Sequence, residues 1–376
     1  MHTRTSRDTT GSRARPDPRV KRWAQLLAGH SLRVRRGEAV AIYAEPSAAE
    51  LVREVHAAIL QRGGFPVLRL ALPGLRGLFL RHASRALIEH PHESETAEAR
   101  QRMKRLTILS SEDPREGESD DRRRLARFMA SREKIRRQAR RPGWCVTLWP
   151  TDAYARNAGM TSQAFRDFVL SAVFADREDP AGAWTRIDRL QRSLARRLAR
   201  GRSIRLRGPG TDLTLRVEGR PWVSCYGRTN MPDGEVFAAP VENSADGVVT
   251  YRWPVCYAGV EVRGVRLEFR RGRVVDARAA KNERFLHEFL RIDRGARGLG
   301  EIGIGTNGRI DRMTRMVLFD EKIGGTIHLA LGSGGCMPSR VHWDMICDLR
   351  AGEAWLDDEP LIRNGRLCGW PVDAWD

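Results

Sequence analysis

Residues 39–72 constrain the fold most, because a strand, a helix and a second strand follow one another there at fixed short lengths. AVAIYAE (39–45) is an apolar run of strand length, broken by Pro46 and Ser47. Across 48–62, Leu51, Val55 and Ile59 recur at i, i+4 and i+8, which marks one face of a helix. Gly63 and Gly64 end that helix, since glycine enters the left-handed C-cap conformation without a side-chain penalty. PVLRLAL (66–72) is the next strand. Two strands joined by such a helix pair in parallel through a right-handed crossover. Further apolar runs at 106–110 (LTILS) and 144–149 (WCVTLW) extend the pattern, so an open parallel α/β domain is expected over 21–200. It holds no glycine-rich phosphate loop, and a nucleotide-binding reading gains no support.

The pattern changes near residue 203. SIRLRGPGTDLTLRVEG alternates apolar and polar residues around Gly-Pro-Gly, the signature of a hairpin, and short glycine-separated strands continue through VVTYRWPVCYAGVEVRGVRLEFRRGRVVDARA. The expectation is an α/β plus α+β chain whose second domain, 201–376, is mainly β with a helix near 282–292. A length of 376 residues suits two domains. Residues 1–20 are polar and basic without an apolar h-region, and read as a flexible arm rather than a secretory signal. No run of about 18 apolar residues is present to span a membrane. The six cysteines have no CxxC spacing, and reduced thiols in a cytoplasmic protein are expected. A net charge of +19 raises the question of nucleic acid. The basic runs at 122–141 and 189–206 alternate with Leu, Ala and Ile at helical spacing, as solvated helix faces do, and aromatics are not interleaved. Specific nucleic-acid binding is not expected.

Five segments of the second half combine turn residues with acids or histidines: NMPDGEVF (230–237), GLGEIGIGTN (298–307), LFDEKIGG (318–325), GTIHLALG (325–332) and VHWDMICD (341–348). A lone histidine such as His328 is commonly a core residue with one hydrogen bond. His342 and Asp344 sit at i and i+2 and so share a strand face, where both could approach one ion or simply bond each other. Glu235 and Glu301 stand in apolar, glycine-flanked contexts, and a buried carboxylate needs a cation, donors or a proton. Glu321 lies in a polar DEK segment and could equally be exposed. Together these six residues supply the mixed O/N donors that Zn²⁺, Co²⁺ or Mn²⁺ accept, and two ions would explain so many carboxylates.

The same segments, in the same order, resemble the thermophilic metallo-aminopeptidase family typified by aminopeptidases T and S. The likeness is carried by NMPDGEVFAAPVENSADGVVTY (230–251), GLGEIGIGTN, DEK, GT-x-H-x-A-x-G and H-W-D. It reaches back through GRPW (219–222) and WPTDAYARNAGMT (149–161) to KRWAQLL near residue 21. The resemblance implies a homodimer of two-domain subunits, peptide substrates, and two divalent ions held by Glu235, Glu301, Glu321, His328, His342 and Asp344. Glu301 is the expected bridge between the ions, and Glu235 or Glu321 the expected general base for a metal-bound water. In one place the chain departs from the family: Gly335, within GSGGCMPS (332–339), stands where a tyrosine near the metals is expected. Ser333 and Ser339 are the hydroxyls nearest in sequence that could donate in its stead.

Two rival expectations follow from the same residues. His328, His342 and Asp344 alone form a two-histidine-one-carboxylate set that suits a mononuclear non-haem iron dioxygenase, which would leave Glu235 and Glu301 unexplained. A non-enzymatic relative using its basic surface to bind an acidic partner is the other.

Overall fold

The structure, a computed structural model, describes residues 17–371 apart from 102, 114–120, 134, 136–142 and 336. Most of the arm expected over 1–20, and part of the basic run at 122–141, lie outside the described residues. The end of the arm is corrected. Pro18–Leu26 is already a helix, capped by the Asp17 side chain on Arg19 N, and Val20 and Trp23 on it are fully buried.

The βαβ unit forms as its periodicity dictates. Ala39–Ala44 pairs in parallel with Phe65–Leu70 across the helix Ala49–Gln61, whose Leu51, Val55 and Ile59 are buried. Lys104–Leu109 and Trp144–Leu148 continue the parallel sheet. Its fifth strand comes from far along the chain: Asn230–Met231 pairs in parallel with Trp144–Leu148. Two residues carry no readable period, so only tertiary pairing marks them as a strand. This strand sets the position of the Pro-Asp-Gly turn that follows it.

The second half is antiparallel. The hairpin of Ser203–Gly208 and Thr211–Arg216 forms as its alternation predicts, and lies within an eight-stranded sheet. A five-stranded antiparallel sheet orders Met337–Cys347, Ile327–Gly334, Leu299–Gly305, Glu235–Ala238 and Val223–Cys225 side by side. The expected helix near 282–292 is Glu283–Phe289. Among the described residues no helix is long and apolar enough to cross a membrane.

Apolar burial gathers into two clusters. One includes Trp23, Ile42, Phe165 and Trp184; the other includes Leu206, Val236, Ile302, Leu329 and Trp343. The helix Pro180–Leu198 spans both, with Trp184 and Ile187 in the first and Leu194 and Leu198 in the second. Ile310, Phe319 and Ile323 come from the second half but pack into the first cluster. The segment carrying Glu321 is therefore docked on one cluster, while the strands carrying the other candidate residues belong to the second. The site forms along that seam.

Candidate metal centre

Sheet register brings the candidate side chains together. Glu235 opens its strand opposite Gly305, His328 lies opposite Gly303, and Asp344 and His342 face Ala330 and Gly332. Glu301 sits beside a bulge in the central strand Leu299–Gly305. Glu321 reaches in from outside the sheet, directly after the short helix Val317–Asp320. The structure places the six in two adjacent triads, Glu235–Glu321–His328 and Glu301–His342–Asp344, each with ligand atoms within 4.8 Å of one another. His328 joins the triads: its Nε2 lies 3.3 Å from Glu235 Oε2 and 3.5 Å from Glu301 Oε1.

The i, i+2 pair does share a face. His342 Nε2 is 3.1 Å from Asp344 Oδ1, while Nδ1 is 2.6 Å from the Ser333 carbonyl oxygen, which orients the ring. Burial pulls the His342 pKa down, but the Asp344 hydrogen bond and charge outweigh it and push it up to about 10. Burial opposes the His328 cation too, yet the neighbouring Glu301, Glu235, Asp344 and Glu321 carboxylates push its pKa up to about 9. Between these two strand residues Trp343 turns to the opposite face. There it packs against Phe289 (centroids 4.8 Å apart), Tyr257 (5.3 Å) and Phe285 (6.1 Å), fixing the strand from behind.

Do these residues suit a metal? Glu235 Oε2 and both ring nitrogens of His328 are buried without a hydrogen-bond partner. Groups of this kind are paired in folded proteins, and leaving them orphaned costs about 1–3 kcal/mol each. A divalent cation bound by carboxylate oxygens and an imidazole nitrogen satisfies Glu235 Oε2 and His328 Nε2, and the donor set fits zinc, cobalt or manganese.

The DEK segment is not a solvated turn. Asp320 is 2% exposed and Lys322 is fully buried. Asp320 accepts hydrogen bonds from Thr314 N and Oγ1, at 2.7 and 2.8 Å, and burial pushes its pKa up to about 7. Lys322 Nζ lies 2.6 Å from Glu235 Oε1, 2.6 Å from Glu321 Oε1 and 3.8 Å from Asp233 Oδ1. Burial alone would pull this ammonium toward neutrality; the Glu235, Glu321 and Asp233 carboxylates outweigh it and hold its pKa well above the ordinary lysine value. Reading the sequence misses Lys322 and Asp233, because three charged residues in a row look solvated and the turn Pro-Asp-Gly looks like ordinary punctuation. The available signal was the position of Lys322, immediately before the buried run that carries His328.

The glycines of GEIGIG have a direct role in shaping the site. A Cβ added at Gly303 would stand 2.1 Å from both Cε1 and Nε2 of His328, so the imidazole lies flat on bare backbone. At Gly335 the reason is different. Its φ is +51°, and an added Cβ would meet the Ala239 Cβ at 2.3 Å, so this hairpin tip has no room for a side chain such as tyrosine. Of the two hydroxyls considered in its stead, Ser339 donates to Asp293 Oδ1 at 2.8 Å. Ser333 contributes its carbonyl to His342. Cys336 lies outside the described residues.

With this geometry established, comparisons define the class. The model of the thermophilic metalloprotease (M29) family matches residues 16–366, and the chain belongs to that family. Aminopeptidase T from Thermus thermophilus is 32% identical over 208 residues, covering 51% of this chain and 49% of that protein. Aminopeptidase T from Thermus aquaticus is 31% identical over 204 residues, with the same two shares. The chain spans about half the length of the curated relatives it matches. Among solved structures, wild-type AmpT from Thermus thermophilus superimposes with a TM-score of 0.81 at 24% identity, covering 93% of this chain and 99% of that one. A 2,5-dihydroxypyridine dioxygenase from Pseudomonas putida KT2440 gives 0.56 at 16% identity, covering 94% and 98%. Both share the fold: a parallel sheet with helices joined to antiparallel sheets.

Proposed function

We propose that this chain is a metal-dependent aminopeptidase that removes N-terminal residues from peptides, with two divalent ions held by Glu235, Glu301, Glu321, His328, His342 and Asp344. The observation that carries this reading is the gathering of those residues into two adjacent triads. Four carboxylates match the charge of two dications, whereas one ion would leave buried negative charge uncompensated. Bound there, the ions supply Lewis acidity and a water nucleophilic at neutral pH.

The chain's own residues do the rest. Glu301, in one triad and beside His328 of the other, is placed to link the two positions. Glu235 or Glu321, both held from behind by Lys322, takes the proton of the attacking water and passes it to the amine that leaves as the peptide C–N bond breaks. His342, oriented by Ser333, fixes Asp344 beside it.

Metal content and hydrolysis of aminoacyl-anilides, before and after chelation and reloading with Zn²⁺, Co²⁺ or Mn²⁺, test the reading. Two ions per chain and loss of both activity and one ion in Glu301→Gln are expected; metal-independent hydrolysis would overturn it. One iron per chain would instead establish the dioxygenase alternative, which the grouping of His328 with Glu235 and Glu321 does not favour. The homodimer belongs to the same proposal. It is supported by exposed Phe65, Leu68, Leu70, Leu72 and Leu75 on and after the edge strand. A sedimentation mass of one chain, 42.5 kDa, would exclude it.

A further inference from the structure

We propose that Lys322 is a positioning residue of this centre: an internal ammonium that anchors Glu235 and Glu321 from behind, so that one of the two ions meets carboxylates already aimed at it. This inference rests on the two-metal reading above.

Lysine is almost never fully buried unless paired, and Lys322 is 0% exposed. Its ammonium has three donors. One donates to Glu321 Oε1 at 2.6 Å, while Nζ is also in ion-pair contact with Glu235 Oε1 at 2.6 Å and lies 3.8 Å from Asp233 Oδ1. Asp233 is itself held rigidly, accepting from Gly227 N at 2.8 Å and Gly234 N at 3.0 Å. The lysine backbone is pinned at both ends: its N donates to Phe319 O at 2.9 Å, and its carbonyl accepts from Asn307 N at 3.0 Å. The fully buried Asn307 also donates from Nδ2 to the Asp233 carbonyl at 2.9 Å.

The consequence falls on Glu235. One of its oxygens is anchored on Lys322, and the other, Oε2, is buried, unpartnered and 3.3 Å from an equally unpartnered His328 Nε2. A carboxylate held in this way presents a single oxygen in a fixed direction, which is how partners behind metal ligands set affinity. Among the described residues the ion pairs of Lys322 are all with Asp233, Glu235 and Glu321. Its direct contacts are therefore one-sided: they fall on the Glu235–Glu321–His328 position, while Asp344 of the other triad feels the ammonium only as a more distant charge.

That asymmetry is the test. Metal-free wild type, K322M and K322R are titrated with Zn²⁺ against a chromogenic chelator, with thermal denaturation alongside. The expected result is loss of affinity for one ion, on the order of 10–100-fold, in K322M, with the other ion bound as in wild type and partial recovery in K322R. Wild-type affinity for both ions in K322M overturns the proposal, as does equal weakening of both ions together with the melting temperature, the pattern of a merely structural lysine. A wild type that takes up no zinc fails at the two-metal reading itself. If K322M does not fold, wild type labelled with ¹⁵N at lysine Nζ decides. An exchange-protected Lys322 signal that shifts when zinc loads supports the role; one that is unmoved or lost on loading overturns it.

Discussion

Gly303→Ala is the sharpest test of how the sheet builds the centre. The added methyl would lie 2.1 Å from the His328 ring, where ordinary contact begins near 3.4 Å, so the imidazole must retreat by roughly 1.3 Å. The ring has nowhere easy to go, because His328 is fully buried between Glu235 and Glu301. Overpacking of this kind costs about 1–3 kcal/mol, less than the stability of an ordinary domain, so the variant should still fold. The site is less forgiving, since ligands must be held within about 0.5 Å of productive geometry and a misplacement of about 1 Å can cost on the order of 10² in rate. The expected outcome is a chain with native far-UV circular dichroism and a lowered melting temperature. It should show weakened uptake of the ion shared with Glu235 and Glu321, and aminoacyl-anilide hydrolysis reduced about 100-fold. Metal titration by competition with a chelator reads the first effect and initial rates the second. Wild-type affinity for both ions with an unchanged melting temperature would refute the packing of His328 on Gly303.

Other outcomes follow from the same structure. His328 and His342, with pKa values raised to about 9 and about 10, are protonated in the metal-free chain at pH 7. Metal binding must therefore expel protons, and affinity should rise with pH up to that range; calorimetry in two buffers of different ionisation enthalpy checks this, and no proton release would contradict it. The sign for stability is opposite. Groups raised above the ordinary histidine value of 6.5 stabilise the metal-free fold fully below it and lose that contribution through about pH 9–10. The chelated protein should therefore melt at falling temperature across this window, and a flat profile would exclude the charged histidines. Trp343→Ala, which empties the aromatic cluster behind His342 and Asp344, should cost about 3–5 kcal/mol in urea denaturation and weaken metal uptake as well. Gly335→Tyr should lower stability without raising hydrolysis, because φ and Ala239 leave the side chain no place beside the metals; a gain in rate would overturn that reading.

Much of this protein is legible without coordinates. Leu51, Val55 and Ile59 announce their helix, the runs at 39–45 and 66–72 their parallel strands, and TDLTLR its half-buried strand, since periodicity is a local property of the chain. The chemical character of Glu235, Glu301, His328, His342 and Asp344 is local as well: a titratable group set among apolar residues and glycines must find a partner. Which partner it finds is not local. Grouping into Glu235–Glu321–His328 and Glu301–His342–Asp344 depends on register between strands up to about a hundred residues apart in sequence, set by antiparallel pairing through residues such as Gly303 and Gly305. The strand Asn230–Met231 exists only because Trp144–Leu148 offers it an edge. Lys322 shows the limit most plainly. Sequence alone makes it one charge in a polar triplet; Asp233 and Glu235, brought from a distant segment to join the neighbouring Glu321, make burial of its ammonium affordable, and only the folded chain brings them there.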